Sequence, residues 1–455
     1  MKLGTDLTKG SVTKNFILFI IPIVLSGVMQ QLYNTADTLV VGKFVGDVAL
    51  AAVGSTGSVT HLILNIFIGL SVGTNVICAR FFGAGNKEGL FRAVHTSILL
   101  SVVSGVFLAI VGIIFSRPLL SLMGTPHDVI DSAVLYMRIF FLGSPFSMLY
   151  NFGSAILRAA GDTKRPFYIM LISGVVNVIL NLFCVLVLKI GVAGVAIGTI
   201  ASQFVSAVMV TYILVKTNGE FKLNLKKLHI YKREFLQIVA IGVPSGLNGI
   251  MYSLSNVIIQ STVNSFGKAA IAGQAAASNI ETYGFLLQSS TEQGAVSFAG
   301  QNMGAKKFDR VRRTAVVALL SALFFSLAYM AVTFLAGDII LSWFADDASK
   351  DSVIRMGLLK LLTAASGFFL LAPMQSFSGV LKGMGKVISV TITNAFFICF
   401  MRVLWIAFVF PLSPTLQTVY LSHPVSWGLS SAAITIVYFI ERRRILKRNP
   451  ELRTS

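Results

Sequence analysis

Residues 15–42, NFILFIIPIVLSGVMQQLYNTADTLVVG, form an apolar run long enough to cross a bilayer, which takes about 20 helical residues. Pro22 lies inside this run, removes one backbone donor and crowds the preceding turn, so a kink is expected there. Gln30, Tyr33, Asn34 and Asp37 recur at helical spacing and make one polar stripe on an otherwise greasy helix. Asp37 falls about five residues, or roughly 8 Å, from the outer end of the run. A carboxylate at that depth must face protein or water rather than lipid, and such a group can take up and release a proton. The alternative is a structural Asp paired with a buried Arg or capped by hydroxyls.

Composition extends the argument to the whole chain. Of 455 residues, 55% are hydrophobic and 12% charged, against about 25% charged in a soluble domain. The expected fold class is an all-α polytopic membrane protein. Cys78, Cys184 and Cys399 all fall in apolar runs, so neither a disulfide framework nor a cysteine metal site is expected. The 5 His include no pair at zinc-ligand spacing. The net charge of +19 reads as cytoplasmic loop charge, not as a nucleic-acid surface. No cleavable signal is evident, because the run after the basic N-terminal flank is too long for a signal segment. His61 is a further titratable candidate, with a hydrogen-bonded core histidine as the plainer reading.

About twelve spans are expected: 15–42, 48–80, 93–115, 133–157, 166–188, 192–215, 235–266, 270–299, 314–336, 353–381, 387–410 and 424–440. With the N-terminus inside, most of the 37 Lys and Arg fall on the inner side. Lys382 and Lys386 count among these inner charges. The outer segments hold Lys43, Arg117, Lys189, Lys268, Lys350 and Arg355, and the spans hold Arg138, Lys360 and Arg402. Both termini are then cytoplasmic. The halves resemble each other at a nearly constant offset: Pro22 matches Pro244, Gly46 matches Gly267, Gly85 matches Gly304, and Gly161 matches Gly385. Two six-span lobes inserted in the same sense form a parallel repeat. The expected boundaries are 1–215 for the N-lobe, 216–234 for a basic cytoplasmic linker and 235–455 for the C-lobe with its basic tail. Gly191, Gly194 and Gly198 permit close helix packing or a hinge.

Four features together resemble one family. They are the twelve spans in two lobes, the first-span sequence P…QLYNTADTLVVGKFVGDVALAAVG, GAGNK after the second span, and LRAAGDTKRP after the fourth. The chain is similar over nearly its whole length to the multidrug and toxic compound extrusion (MATE) transporters, and closer to the DinF-like and MepA-like branch than to the NorM-like one. The resemblance implies a cation antiporter of the bacterial plasma membrane that exports cationic or amphipathic drugs. It would need no cofactor beyond H+ or Na+ as coupling ion, and would act as a monomer in the lipid bilayer with no nucleic-acid partner. The branch's N-lobe site carries over to Asp37, Asn151, Asn177, Asn181 and Thr199. Asn181 stands where that branch has an Asp. Asn177 and Asn181 are one turn apart on one helix face. A Na+ site would draw on Asp37, Asn177, Asn181 and Thr199. With one carboxylate only, proton coupling is favoured. The alternative reading of the asparagines is interhelical hydrogen bonding.

The NorM-like acids of spans seven and ten are absent here. Span eight instead carries Glu281 and Glu292 on one face, with Gln274, Ser278 and Gln288 extending the stripe. Glu281, Gln288 and Glu292 are candidates, with Gln30, Tyr33 and Asn34, to contact substrate. The alternative is an ion pair inside the C-lobe with Arg402 or Lys360. Met29, Phe152, Met251 and Tyr283 neighbour the polar stripes and suit an adaptable pocket. Transport would follow alternating access, with Pro22 allowing the first span to bend. A lipid-linked precursor flippase is the rival transporter reading. No metalloprotease or phosphate-loop motif supports an enzyme.

Overall fold

The computed structural model describes residues 4–343 and 350–448. Two of the Lys and Arg expected on the inner side, Lys2 and Arg453, lie outside the described residues, as do the side chains of inner Arg448, outer Lys350 and His61. The regular structure described is helical: α1 Val12–Phe44, α2 Asp47–Gly83, α3 Lys87–Leu122, α4 His127–Leu142, α5 Ser144–Ala159, α6 Lys164–Leu182, α7 Gly191–Lys216, α8 Lys232–Asn264, α9 Lys268–Gly304, α10 Phe308–Ser342, α11 Lys350–Ser366, α12 Leu371–Gly383, α13 Val387–Asn394, α14 Met401–Leu404 and α15 Leu416–Arg448. Short π and 3-10 turns continue several of them.

Among the described residues, 9 helical stretches are long and apolar enough to span a membrane, and 2 bent pairs raise this to 11. The pair α4–α5 bends by 46° and α11–α12 by 42°. The first bend sits at Gly143 before Pro145, and the second at Gly367, where a Cβ would lie 2.4 Å from Pro424. The remaining expected span, 270–299, lies in α9. That helix is long enough, but its polar stripe of Gln274, Glu281, Gln288 and Glu292 keeps it out of the apolar class. The chain is therefore an all-helical polytopic membrane protein.

Two compact units make up the chain. Unit 1 is Met1–Asp6 with Ile21–Gly246, and unit 2 is Leu7–Ile20 with Leu247–Ser455. These limits differ from lobes cut at the 216–234 linker, and the difference falls on two helices. α1 passes from unit 2 to unit 1 between Ile20 and Ile21, beside Pro22, and α8 passes from unit 1 to unit 2 after Gly246, beside Pro244. Both helices continue through their proline.

Packing within each unit explains the exchange. In unit 2, Phe16 and Phe19 of α1 meet Phe298 of α9 edge-on, with ring centroids 5.2 and 5.5 Å apart. The strap Leu7–Gly10 ahead of α1 is fixed by side chains from the α9–α10 turn. Leu7 N–H donates to Gln301 Oε1 at 2.9 Å, Lys307 Nζ to the Thr8 carbonyl at 2.9 Å, and Arg310 to the carbonyls of Leu7, Lys9 and Gly10. Unit 1 repeats the device. The segment ahead of α8 seats Phe221 against Phe82, and Asn224 and Tyr231 N–H groups donate to His95 Nε2 and Thr96 Oγ1, each at 3.1 Å. The first half of α8 then lies on α2 through Gly69, Gly73, Gly242 and Gly246, where a Cβ at Gly69 would come within 2.2 Å of the Gly246 nitrogen. Such small-residue spacing lets helix backbones touch.

Candidate functional site

The carboxylate of Asp37 lies in unit 1, partly buried on α1. Its neighbours come from α6, which presents Asn177 and Asn181 one turn apart, and from α7, which presents Thr199. Asn181 Nδ2 donates to Asp37 Oδ1 at 2.5 Å and also approaches Asn177 Oδ1 at 3.4 Å. Asn177 Nδ2 in turn reaches Thr199 Oγ1 at 3.5 Å, and the Thr199 hydroxyl donates to the Val195 carbonyl. The four residues thus form one polar chain across three helices. Asn177 and Asn181 are 5% and 0% exposed. Asn181 Oδ1 is buried with no hydrogen-bond donor. An unpaired buried acceptor is costly, typically about 1–3 kcal/mol.

Local sequence explains this approach. Gly198 leaves the gap on α7 into which Asn181 fits: a Cβ there would stand 1.9 Å from Asn181 Oδ1. Gly194 and Cys184 meet just beyond, where α6 passes into the π turn Phe183–Val187. A π turn interrupts helix register and recurs at functional sites. Next along α1 from Asp37, Val40 and Val41 join Ala49, Val185, Val192 and Val195 in an apolar cluster with Tyr136 packed against it. Tyr136 on α4 lies in electrostatic reach of Asp37, and only the packing of α4 brings it there.

The other expected residues are placed as follows. Tyr33 lies over Gly174, where any Cβ would collide with the ring at 1.7 Å, and its hydroxyl donates to the Leu171 carbonyl at 3.2 Å. Gln30 and Asn34 are exposed on α1. Asn151 donates back to the Ser147 carbonyl of its own helix at 2.9 Å and makes no hydrogen bond to the Asp37 chain.

In unit 2, Glu281 pairs with Lys360 at 3.1 Å, and the two side chains are 9% and 4% exposed. Lys360 also bonds Ser278. Gly273 and Gly357 make this possible, because a Cβ on Gly273 would reach 2.7 Å from the Gly357 nitrogen and push α11 away. Glu292 pairs with Lys382 at 2.6 Å. Lys382, expected in an inner loop, lies instead within α12 and is 7% exposed, since Gly379 and Gly383 bring α12 against the α9 backbone. Gln288 is fully enclosed and donates to the Ala322 carbonyl and Ser326 Oγ of α10 at 3.0 and 2.8 Å. Gln274 donates to Gln260. Arg402 bonds Ser426, Ser255 and Asn256, and Arg138 bonds Ser116 and the Ile113 carbonyl. Cys78, Cys184 and Cys399 are free, buried thiols.

Fold and site together define a polytopic helical membrane protein built of two units, with a carboxylate wired to amides inside one of them. Comparison with known proteins makes the class specific. The MatE family model matches residues 22–183 and 244–408, one segment in each half of the chain. The protein belongs to the MatE family of transporters. It is 28% identical over 451 residues to the probable multidrug resistance protein YoeA of Bacillus subtilis strain 168, covering 97% of this chain and 96% of that one. It is 21% identical over 446 residues to the multidrug export protein MepA of Staphylococcus aureus strain NCTC 8325 / PS 47, covering 96% and 95%. The fold is shared with the solved structure of a MOP superfamily transporter from Pyrococcus furiosus Vc1 (DSM3638), at a TM-score of 0.91 and 24% identity over 97% of this chain and 99% of that one.

Proposed function

We propose that this transporter is a cation-coupled antiporter of the bacterial plasma membrane, exporting organic cations or amphipathic drugs by alternating access. The observation that carries this reading is the polar chain Asp37–Asn181–Asn177–Thr199 with the orphaned Asn181 Oδ1 inside it. A cation entering from outside neutralises Asp37 and releases the outgoing substrate. The membrane potential drives that entry by about 2.3 kcal/mol per charge per 100 mV. A proton needs only Asp37. A sodium ion would take Asp37, Asn181 Oδ1, Asn177 and Thr199, a set with a single charge. Proton coupling is therefore the preferred form. The DinF-like and MepA-like branch is the matching subgroup, with Asn181 in place of its second acid.

The substrate class rests on the relatives, which are described as multidrug resistance and export proteins. Gln30 and Asn34, exposed beside Tyr33 on the helix that carries Asp37, are the proposed substrate contacts. Glu281, Gln288 and Glu292 are engaged inside unit 2 and serve that unit first. Asn151 remains a proposed member of the site, its amide donating to the Ser147 carbonyl of its own helix. A monomer is the proposed acting unit. The flippase alternative would draw on Arg138, Lys360 and Arg402, each already bonded within its own unit.

Expression in a drug-sensitive bacterium tests the proposal. Wild type should raise resistance to cationic dyes or antibiotics, and Asp37→Asn at equal membrane abundance should not. Equal resistance from the two would remove Asp37 from the mechanism.

A further inference from the structure

We infer that the cytoplasmic ends of α1 and α10 form a binding site for one anionic phospholipid headgroup. A cavity of about 560 Å³ in unit 2 is walled by the first turn of α1, Ser11 to Thr13, and by Arg312, Arg313, Val316 and Val317 of α10. Three independent features of this cavity point to a phosphodiester with acyl chains attached.

The first feature is charge. Arg312 and Arg313 are exposed on the wall, and Arg312 has no ion-pair partner among the described residues. Arg310, also on the wall, is already committed to the Leu7–Gly10 carbonyls, so it shapes the site without offering its charge fully. The carboxylate on the wall is Asp309. It stands 3.9 Å from Arg313, with side chains 56% and 71% exposed, a loose and well-screened contact. The balance is basic.

The second feature is the helix terminus. Ser11 caps α1, its Oγ accepting from Lys14 N–H at 3.3 Å. Val12 and Thr13 of the same turn line the cavity. First-turn N–H groups lack carbonyl partners in their own helix, and the helix dipole favours an anion there.

The third feature separates a lipid from a free anion. Arg312 and Arg313 head a stripe that continues down α10 through Val316, Leu320, Phe324 and Leu327, at 51%, 60%, 67% and 58% exposure. These residues recur every three or four positions and so share one outward face. On α1, Thr13 is followed one turn on by exposed Ile17. A charged pocket at the membrane surface that opens directly onto an apolar track has the form of a phospholipid. Basic pockets at the cytoplasmic ends of spans attract acidic headgroups of the inner leaflet. The site is separate from the Asp37 chain and does not depend on what the protein transports. Its consequence is to tether the half of α1 that belongs to unit 2.

Purified full-length protein, stripped of lipid in detergent, is titrated with dioleoylphosphatidylglycerol, dioleoylphosphatidylcholine or inorganic phosphate, and bound adducts are counted by native mass spectrometry. One phosphatidylglycerol should bind roughly ten- to thirtyfold more tightly than phosphatidylcholine. That preference should vanish in Arg312→Gln/Arg313→Gln. It should vanish equally in Thr13→Asp, an exposed change that the helix N-terminus favours, so folding is kept. Arg443→Gln, at an exposed basic position on α15, should bind like wild type. The inference is overturned if either site variant keeps the preference, if phosphatidylcholine binds as tightly, or if inorganic phosphate at matched concentration displaces the lipid.

Discussion

At the scale of single residues, the functional reading turns on Asn181. Its side-chain nitrogen holds Asp37, while its oxygen is buried without a donor. The gap it occupies exists because position 198 has no side chain. Gly198→Ala should therefore displace Asn181 without removing any polar group. The expected cost is about 1–3 kcal/mol of stability from overpacking, read by thermal unfolding, with gradient-driven transport reduced while the protein still reaches the membrane. Asn181→Asp tests the coupling ion. A second carboxylate beside Asp37 gives Na+ the charge it lacks here, so a sodium gradient should begin to drive export in vesicles. If sodium drives wild type and variant equally, the single-carboxylate argument for proton coupling is wrong. Asp37 stands out in the sequence because acids are rare within apolar runs, whereas Asn177 and Asn181 are singled out only by the family resemblance, since asparagine recurs in many of the other spans. Tyr136 does not stand out, because nothing local distinguishes it from any other aromatic in a span, and only the packing of α4 brings it near the carboxylate.

At the scale of elements, α9 shows how acids are carried inside a membrane helix. Glu281 and Glu292 lie on one face and each meets a lysine from a different neighbour, α11 and α12. Lys360→Met should leave Glu281 buried and unpaired, at about 3–5 kcal/mol. The double change Lys360→Met/Glu281→Leu should recover most of that loss. Melting temperatures of the three proteins decide it, and a double variant no better than the single one would mean that the pair is not what stabilises α9 against α11. The polar stripe on α9 is legible from spacing alone, and Lys360 is among the partners the sequence suggests. Lys382 is not, because its position near the basic α12–α13 turn gives it the look of a loop charge. Gly379 and Gly383 turn it inward by drawing two backbones together, and glycine spacing does not say which neighbour is approached.

At the scale of the whole molecule, the internal repeat is visible in the paired prolines, Pro22 and Pro244, and in the matched glycines. The exchange of helix halves at those prolines is not. It depends on contacts between residues 294 and 303 positions apart, Leu7 with Gln301 and with Arg310, which no local pattern encodes. The strap ahead of each proline helix is fixed by a helix turn, in one unit by Gln301, Lys307 and Arg310, in the other by His95 and Thr96. Arg310→Met should free the Leu7–Gly10 strap. Limited proteolysis near the exposed Lys9 should then be faster than in wild type, and an unchanged cleavage rate would show that Arg310 is not the clamp. The two proline helices each run from one unit into the other, and Asp37, the proposed coupling acid, sits on one of them; the proposal is that its change of charge drives the exchange of cation for substrate. The most direct measurement of that central claim is export from proteoliposomes under separately imposed proton and sodium gradients, comparing wild type with Asp37→Asn. The account predicts that an inward cation gradient drives export by the wild type and that neither gradient drives it in the variant. Export by Asp37→Asn at the wild-type rate under either gradient would contradict it.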